Sequence, residues 1–79
     1  MTAHLYFDMS DVPPAVANRA TRQIELGTGR TLIIFPEHAI GGQEVEGGEI
    51  EVPFPCSEDV RGWIVNWLMY WGIPFRVLP

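Results

Sequence analysis

The chain is expected to be α+β, with a ferredoxin-like β-α-β-β-α-β order: an antiparallel sheet with two helices on one face. Three observations lead there. "AHLYFDM", "RTLIIFP", "QEVEGGEIEV" and "PFRVL" are short segments rich in β-branched or aromatic residues, bounded by glycine and proline. Two other segments, one before the second strand and one after the third, carry apolar residues at helical spacing. The 79 residues suffice for one domain, residues 1–79, and no linker or repeat divides them. The alternative plan is a helix, a β-meander and a second helix packed across it.

The elements follow in order. "AHLYFDM" alternates loosely and suits a first strand. In "SDVPPAVANRATRQIEL", Ser10 or Asp11 can cap a helix whose prolines lie just inside its start, where a missing N–H costs nothing. Val16, Ala17, Ala20 and Ile24 then recur at helical spacing, and Gly27 stands at the C′ position, so the spacing predicts a helix over 13–25. The same stretch supports a second reading. "RQIEL-GTG-RTLII" also fits two strands joined by a three-residue glycine loop, with the helix ending near Arg22 and Ile24 and Leu26 in an extra strand. "RTLIIFP" reads as a central strand buried on both faces, and "EHAIGG" as a connection. "QEVEGGEIEVPF" is one long bulged strand or a tight hairpin, with pairing ending near Val52 because Pro53 and Pro55 lack an N–H to donate.

The second helix has the clearest signals. Ser57 is a good N-cap, Glu58 and Asp59 sit where the helix dipole favours negative charge, and Gly72 and Pro74 stop the helix. Trp63, Trp67 and Trp71 form one stripe, beside a second of Val60, Ile64 and Leu68. The tryptophans read first as core, since large rings fill a small core efficiently. Val65, Met69 and Tyr70 widen the apolar arc beyond what covering a sheet requires. They are candidates for an apolar interface with a partner or a second copy, so a homodimer is one expectation.

Composition narrows the function. A hydrophobic fraction of 47% with 19% charged residues suits a packed domain rather than a disordered chain. A chain this short buries roughly 60% of its unfolded surface, so its core is small. Apolar runs reach five residues at most, far short of the ~20 that a bilayer span needs. No basic segment precedes a hydrophobic one as in a signal peptide, so the expected setting is cytoplasmic, away from membranes. The lone Cys56 permits no internal disulfide, and its neighbours Glu58 and Asp59 oppose a thiolate. His4 and His38 stand apart, without metal-ligand spacing; no metal or cofactor is expected. "GTGR" lacks the Gly-Lys-Ser/Thr of a phosphate loop and reads as a turn. No catalytic motif is present, and four glutamates on a turn offer little cleft for paired-carboxylate chemistry, so an enzyme is not expected.

Charge is the most informative feature. Residues 31–60 hold Glu37, Glu44, Glu46, Glu49, Glu51, Glu58 and Asp59 with no base, while the remainder holds three acids and five arginines. A negative field repels nucleic acid and attracts basic protein surfaces, so direct nucleic-acid binding is not expected. In a two-residue hairpin turning at Gly47-Gly48, Glu46 faces Glu49 and Glu44 faces Glu51, with Val45 and Ile50 on the other face. Opposed like charges cost about 0.2–1 kcal/mol per pair. Two explanations stand: a charged sheet edge that resists aggregation, or a docking face of Glu44, Glu46, Glu49, Glu51 and Glu37 for a basic partner.

With its acidic "EVEGGEIE", single small domain, α+β plan and lack of any enzyme motif, the chain resembles the anti-CRISPR proteins, small phage- or mobile-element-encoded inhibitors of CRISPR–Cas complexes. The resemblance spans the chain in character and rests on no signature motif. It implies a protein inhibitor that binds a Cas subunit and blocks target DNA. The other expectation, from a different class, is a ferredoxin-like regulatory or small-ligand-binding module acting as a dimer or subunit.

Overall fold

Alternation decides which strand residues point inward. In β1 (His4–Asp8) Leu5 and Phe7 are buried while His4, Tyr6 and Asp8 face outward; in β5 (Glu49–Pro53) Ile50 and Val52 are buried between Glu49, Glu51 and Pro53. The computed structural model describes residues 3–36, 41–53 and 57–79. Its other elements are α1 (Pro14–Ala17), β2 (Thr21–Ile24), β3 (Thr31–Ile34), β4 (Gly41–Glu44), α2 (Glu58–Tyr70) and β6 (Phe75–Leu78). Short 3-10 turns span Met9–Asp11 and Glu46–Gly48.

The protein is α+β, the described residues forming two helices and a six-stranded antiparallel sheet in the order β2-β3-β4-β5-β1-β6. Two strands more than expected are present, and β2 to β5 lie side by side in chain order, as in a meander. The four-strand ferredoxin-like plan is therefore not reproduced.

The difference arises at the first helix. The expected helix over 13–25 shrinks to one turn, Pro14–Ala17, and residues 21–24 pair with β3 instead. Pro13 sits at the cap with Pro14 just inside, and neither Ser10 nor Asp11 caps this helix. Ser10 instead donates from its N and Oγ to the Asp8 carboxylate, closing the 3-10 turn. After Ala17 the bonds shorten to i→i−3, Arg19 N to Val16 O and Ala20 N to Ala17 O, tightening the turn until it ends. The hairpin reading of this stretch is the one the structure follows, with one change. Its loop runs through residues 25–30, closed by Glu25 N to Arg30 O and Gly29 N to Glu25 O, so Leu26 lies in the loop, 99% exposed, rather than in a strand.

β3 is buried on one face only. Ile33 is inside, while Ile34 is 39% exposed on the face that no helix covers. Gly41 and Gly42, read as part of a connection, form the first half of β4. Gly42 lies opposite Ile33, and a Cβ there would come within 2.4 Å of Ile50 Cγ2 and 3.0 Å of Val52 Cγ2. Bulky neighbours on β5 occupy the space above it, so only glycine fits.

The core lies between the sheet and the helices. Leu5, Phe7, Ile33, Phe35, Ile50 and Val52 meet Val16 of α1 and Ile64, Trp67 and Leu68 of α2 in one cluster. Of the three tryptophans, Trp67 alone is buried. Its ring centroid lies 5.0 Å from Phe35 and 6.2 Å from Phe7, in tilted and edge-on arrangements that suit aromatic quadrupoles. Ser57 occupies the cap position of α2, but its side chain makes no capping bond. At the other end Gly72, with φ 67°, makes the expected stop. Ile73 N bonds Leu68 O and Gly72 N bonds Met69 O, a Schellman closure that also buries Ile73 beside Leu68.

Candidate functional site

The acidic hairpin does not have the predicted register. Gln43 lies opposite Glu51 and Glu44 opposite Ile50, and Val45 N bonds Glu49 O across a three-residue 3-10 turn, Glu46–Gly48. Gly47 and Gly48 adopt φ of 85° and 81°, left-handed values that glycine reaches at no steric cost. One extra loop residue shifts the strands by one position, and with a side-chain period of two that moves residues to the opposite face. The four glutamates therefore do not crowd one face. Glu49 and Glu51 lie on the uncovered face, Glu44 shares the helix-covered face with Ile50, and Glu46 projects from the turn. Glu37, His38 and Cys56 lie outside the described residues.

Nor do these charges go unanswered. Arg22, on β2, donates from Nε to Glu44 Oε1 at 2.9 Å. Arg76, on β6, grips both oxygens of Glu49, and its guanidinium lies 4.9 Å from the centroid of the Tyr6 ring. The Tyr6 hydroxyl donates to Glu51 Oε2 at 2.6 Å. Tyr6, Glu51 and Arg76 lie side by side on β1, β5 and β6, one residue per strand. The arginines come from outside the 31–60 stretch, which is why sequence distance hid the neutralisation.

These contacts shift the ionisation of their groups. The hydrogen bond to Glu51 raises the Tyr6 phenol above its usual value, because the donated proton is held. Arg76 bonding keeps the Glu49 carboxyl below the usual range, and Ser10, first through its backbone N–H and then its hydroxyl, does the same for Asp8. Glu49 in turn raises Arg76. Near neutral pH, Asp8 and Glu49 are firmly ionised.

The register also reveals a grouping that linear reading missed. Asp8 pairs with Glu49, Glu44 with Ile50, and Ile24 with Thr31, so these residues mark the same end of the sheet. Asp8 and Asp11, Glu25, and Glu44, Glu46 and Glu49 arrive there from three separate parts of the chain. The helix α2 also ends on this side, since β6 starts with Phe75 opposite Phe7, and its dipole adds partial negative charge. The positive charges of Arg22, Arg30 and Arg76 offset part of this; Arg30 is held there by its hydrogen bond to Gln43 Oε1 at 2.7 Å. A shallow recess of about 290 Å³ opens at this end, lined among others by Tyr6, Asp8, Asp11, Glu49 and Arg76. Asp8, Asp11 and Glu25 carried no sequence signal that tied them to the hairpin; only strand order could have joined them to it.

The apolar candidates divide between two flanks of α2. Tyr70 lies with Trp63, Asn66 and Trp71 along a groove of about 590 Å³, with Trp63 66% and Tyr70 77% exposed. Val65 lies on the other flank, partly packed on the core, with Met69 exposed beside it. Val65, Met69 and Tyr70 are thus not one patch. Among the described residues no group of three or more His, Cys, Asp or Glu is placed to hold a metal ion, and no helix is long and apolar enough to cross a membrane. Comparison of the chain with protein-family models, curated proteins and solved structures finds no match.

Proposed function

We propose that the protein is a binding module that docks the acidic end of its sheet on a basic surface of another protein. The observation behind this reading is the convergence of carboxylates from three chain segments at one end. Glu46 and Glu25 form the outer part of that end. Asp8 and Glu49, held in fixed geometry by Ser10 and Arg76, form the inner part. Such a field raises encounter rates with basic partners and gives a strong dependence on ionic strength. The partner surfaces richest in Lys and Arg are those that bind nucleic acid. A partner of that kind, such as the Cas subunit implied by the anti-CRISPR resemblance, would be kept from its target DNA by occupancy of that surface.

The experiment begins with capture of the partner from the native host and its identification by mass spectrometry. Association is then measured for the native chain and for a Glu25→Gln/Glu46→Gln variant at low and high salt. The expected outcome is slower association and a weaker salt dependence in the variant. Unchanged association and salt dependence would remove the proposal. A second reading, as a regulatory or small-ligand-binding module, draws on the aromatic groove beside α2. Its readout is a change in Trp63 fluorescence on ligand addition that disappears in Tyr70→Ala.

A further inference from the structure

Among the described residues β6 stands at one edge of the sheet and pairs with β1 alone, leaving the outer N–H and C=O groups of its backbone without a strand partner. Edge strands of natural proteins are usually blunted by outward charge, proline, a bulge or a cover. Inside its four residues β6 has no proline, and its one charged side chain is turned away from the edge. Arg76 reaches back across β1 to Glu49 and lies against the Tyr6 ring. What remains at the edge is apolar: Phe75, Val77 and Leu78 are 36%, 40% and 43% exposed. Residues 71–79 carry no acidic side chain, in a molecule of net charge −5.

We propose that β6 pairs antiparallel with β6 of a second copy about a two-fold axis normal to the sheet, joining the two sheets edge to edge. Such an axis keeps both helix layers on the same side and requires each residue to face a residue of its own sheet face. Centred on Arg76, the pairing sets Phe75 against Val77 of the second copy and Val77 against Phe75. Both belong to the helix-covered face, because their partners on β1 are the buried Phe7 and Leu5. The two Arg76 side chains meet on the open face, where each is already held by its own Glu49. A foreign strand would need matching residues of its own, whereas the Phe-Arg-Val segment is complementary to itself.

Charge favours the same arrangement. Antiparallel pairing places the two acidic sheet ends at opposite ends of the joined sheet, as far apart as the geometry allows. The copies meet where carboxylates are absent from the strand.

The test is the mass of the 79-residue protein by sedimentation across micromolar to millimolar concentration. The expected result is a closed species of twice the 8.9 kDa chain. Val77→Lys places a charge opposite Phe75 of the second copy and should raise the dissociation constant at least about tenfold, with the thermal transition still cooperative. A measurement on the native protein needs no variant: amides of residues 75–78 should gain protection from hydrogen exchange as concentration rises, while those of β2 do not. A monomer throughout the range would overturn the proposal and leave the edge to a strand from another protein. So would a dimer indifferent to Val77→Lys, or an open-ended series of larger species, which indicates pairing of β6 with β2.

Discussion

A methyl group is the difference between Gly42 and alanine, and at this position there is no room for it. The added Cβ would lie within 2.4 Å of Ile50 Cγ2 and 3.2 Å of the Glu51 carbonyl oxygen, so β5 must move. Gly42→Ala is expected to lower stability by about 1–3 kcal/mol, read as a reduced midpoint in urea unfolding. Gly47→Ala tests a different property. Its Cβ meets nothing, so the expected loss of about 1–2 kcal/mol comes from forcing an L-residue into the left-handed region. The open-face network sets the pH dependence. Asp8 and Glu49 ionise more readily in the folded chain, so their contribution is full above the ordinary carboxylate range and fades as pH falls through their lowered values. Tyr6 acts in the opposite sense. Its contribution is complete below the ordinary phenol value and is lost as pH rises through the raised one. Tyr6→Phe should therefore flatten the alkaline limb of a stability-against-pH curve and leave the acid limb in place.

Among the elements, α2 was the most legible in sequence, because its periodicity, stop signal and first-turn acids all agree. Its cap was legible in position but not in chemistry. Ser57 stands at the cap without bonding the helix, so Ser57→Ala should cost less than about 0.5 kcal/mol, below the ~1 kcal/mol of a working cap. Leu68→Ala, by contrast, should cost about 2–5 kcal/mol, since that side chain is fully buried in the core. Chemical denaturation of the two variants side by side measures the difference. The stretch from Val16 to Ile24 was ambiguous for a physical reason. Its apolar spacing satisfies a helix, while Thr21 and Ile24 are β-branched, and four residue pairs with β3 decide the outcome. The hairpin failed by a single residue of loop length, which is enough to exchange faces.

At the scale of the molecule, sequence gave the class and the sign of the charge but not where the charge gathers. A linear count placed the acidic region at residues 31–60; the fold instead joins Asp8, Asp11 and Glu25 to the hairpin and brings Arg22 and Arg76 across from elsewhere. Long-range pairing is invisible to windowed reading. A net charge of −5 also opposes compaction. Moderate salt should therefore raise the melting temperature of the native chain, and the Glu25→Gln/Glu46→Gln variant should show less of that gain.

The position of β1 has a kinetic consequence. Its two neighbours are β5 and β6, so His4 faces both Pro53 and Leu78, partners about fifty and seventy-odd positions away. Strands β2 to β5 are neighbours in the chain as well as in the sheet, while β1 must wait for distant segments and close large loops before any gain. The meander is thus the natural nucleus, and β1 is among the last strands secured. Ile33→Val should slow refolding, and Val77→Ala should chiefly hasten unfolding, in stopped-flow traces. Until β6 arrives, the carboxylate of Glu49 lacks Arg76, and until β1 arrives, β5 is an open edge in what becomes the middle of the sheet.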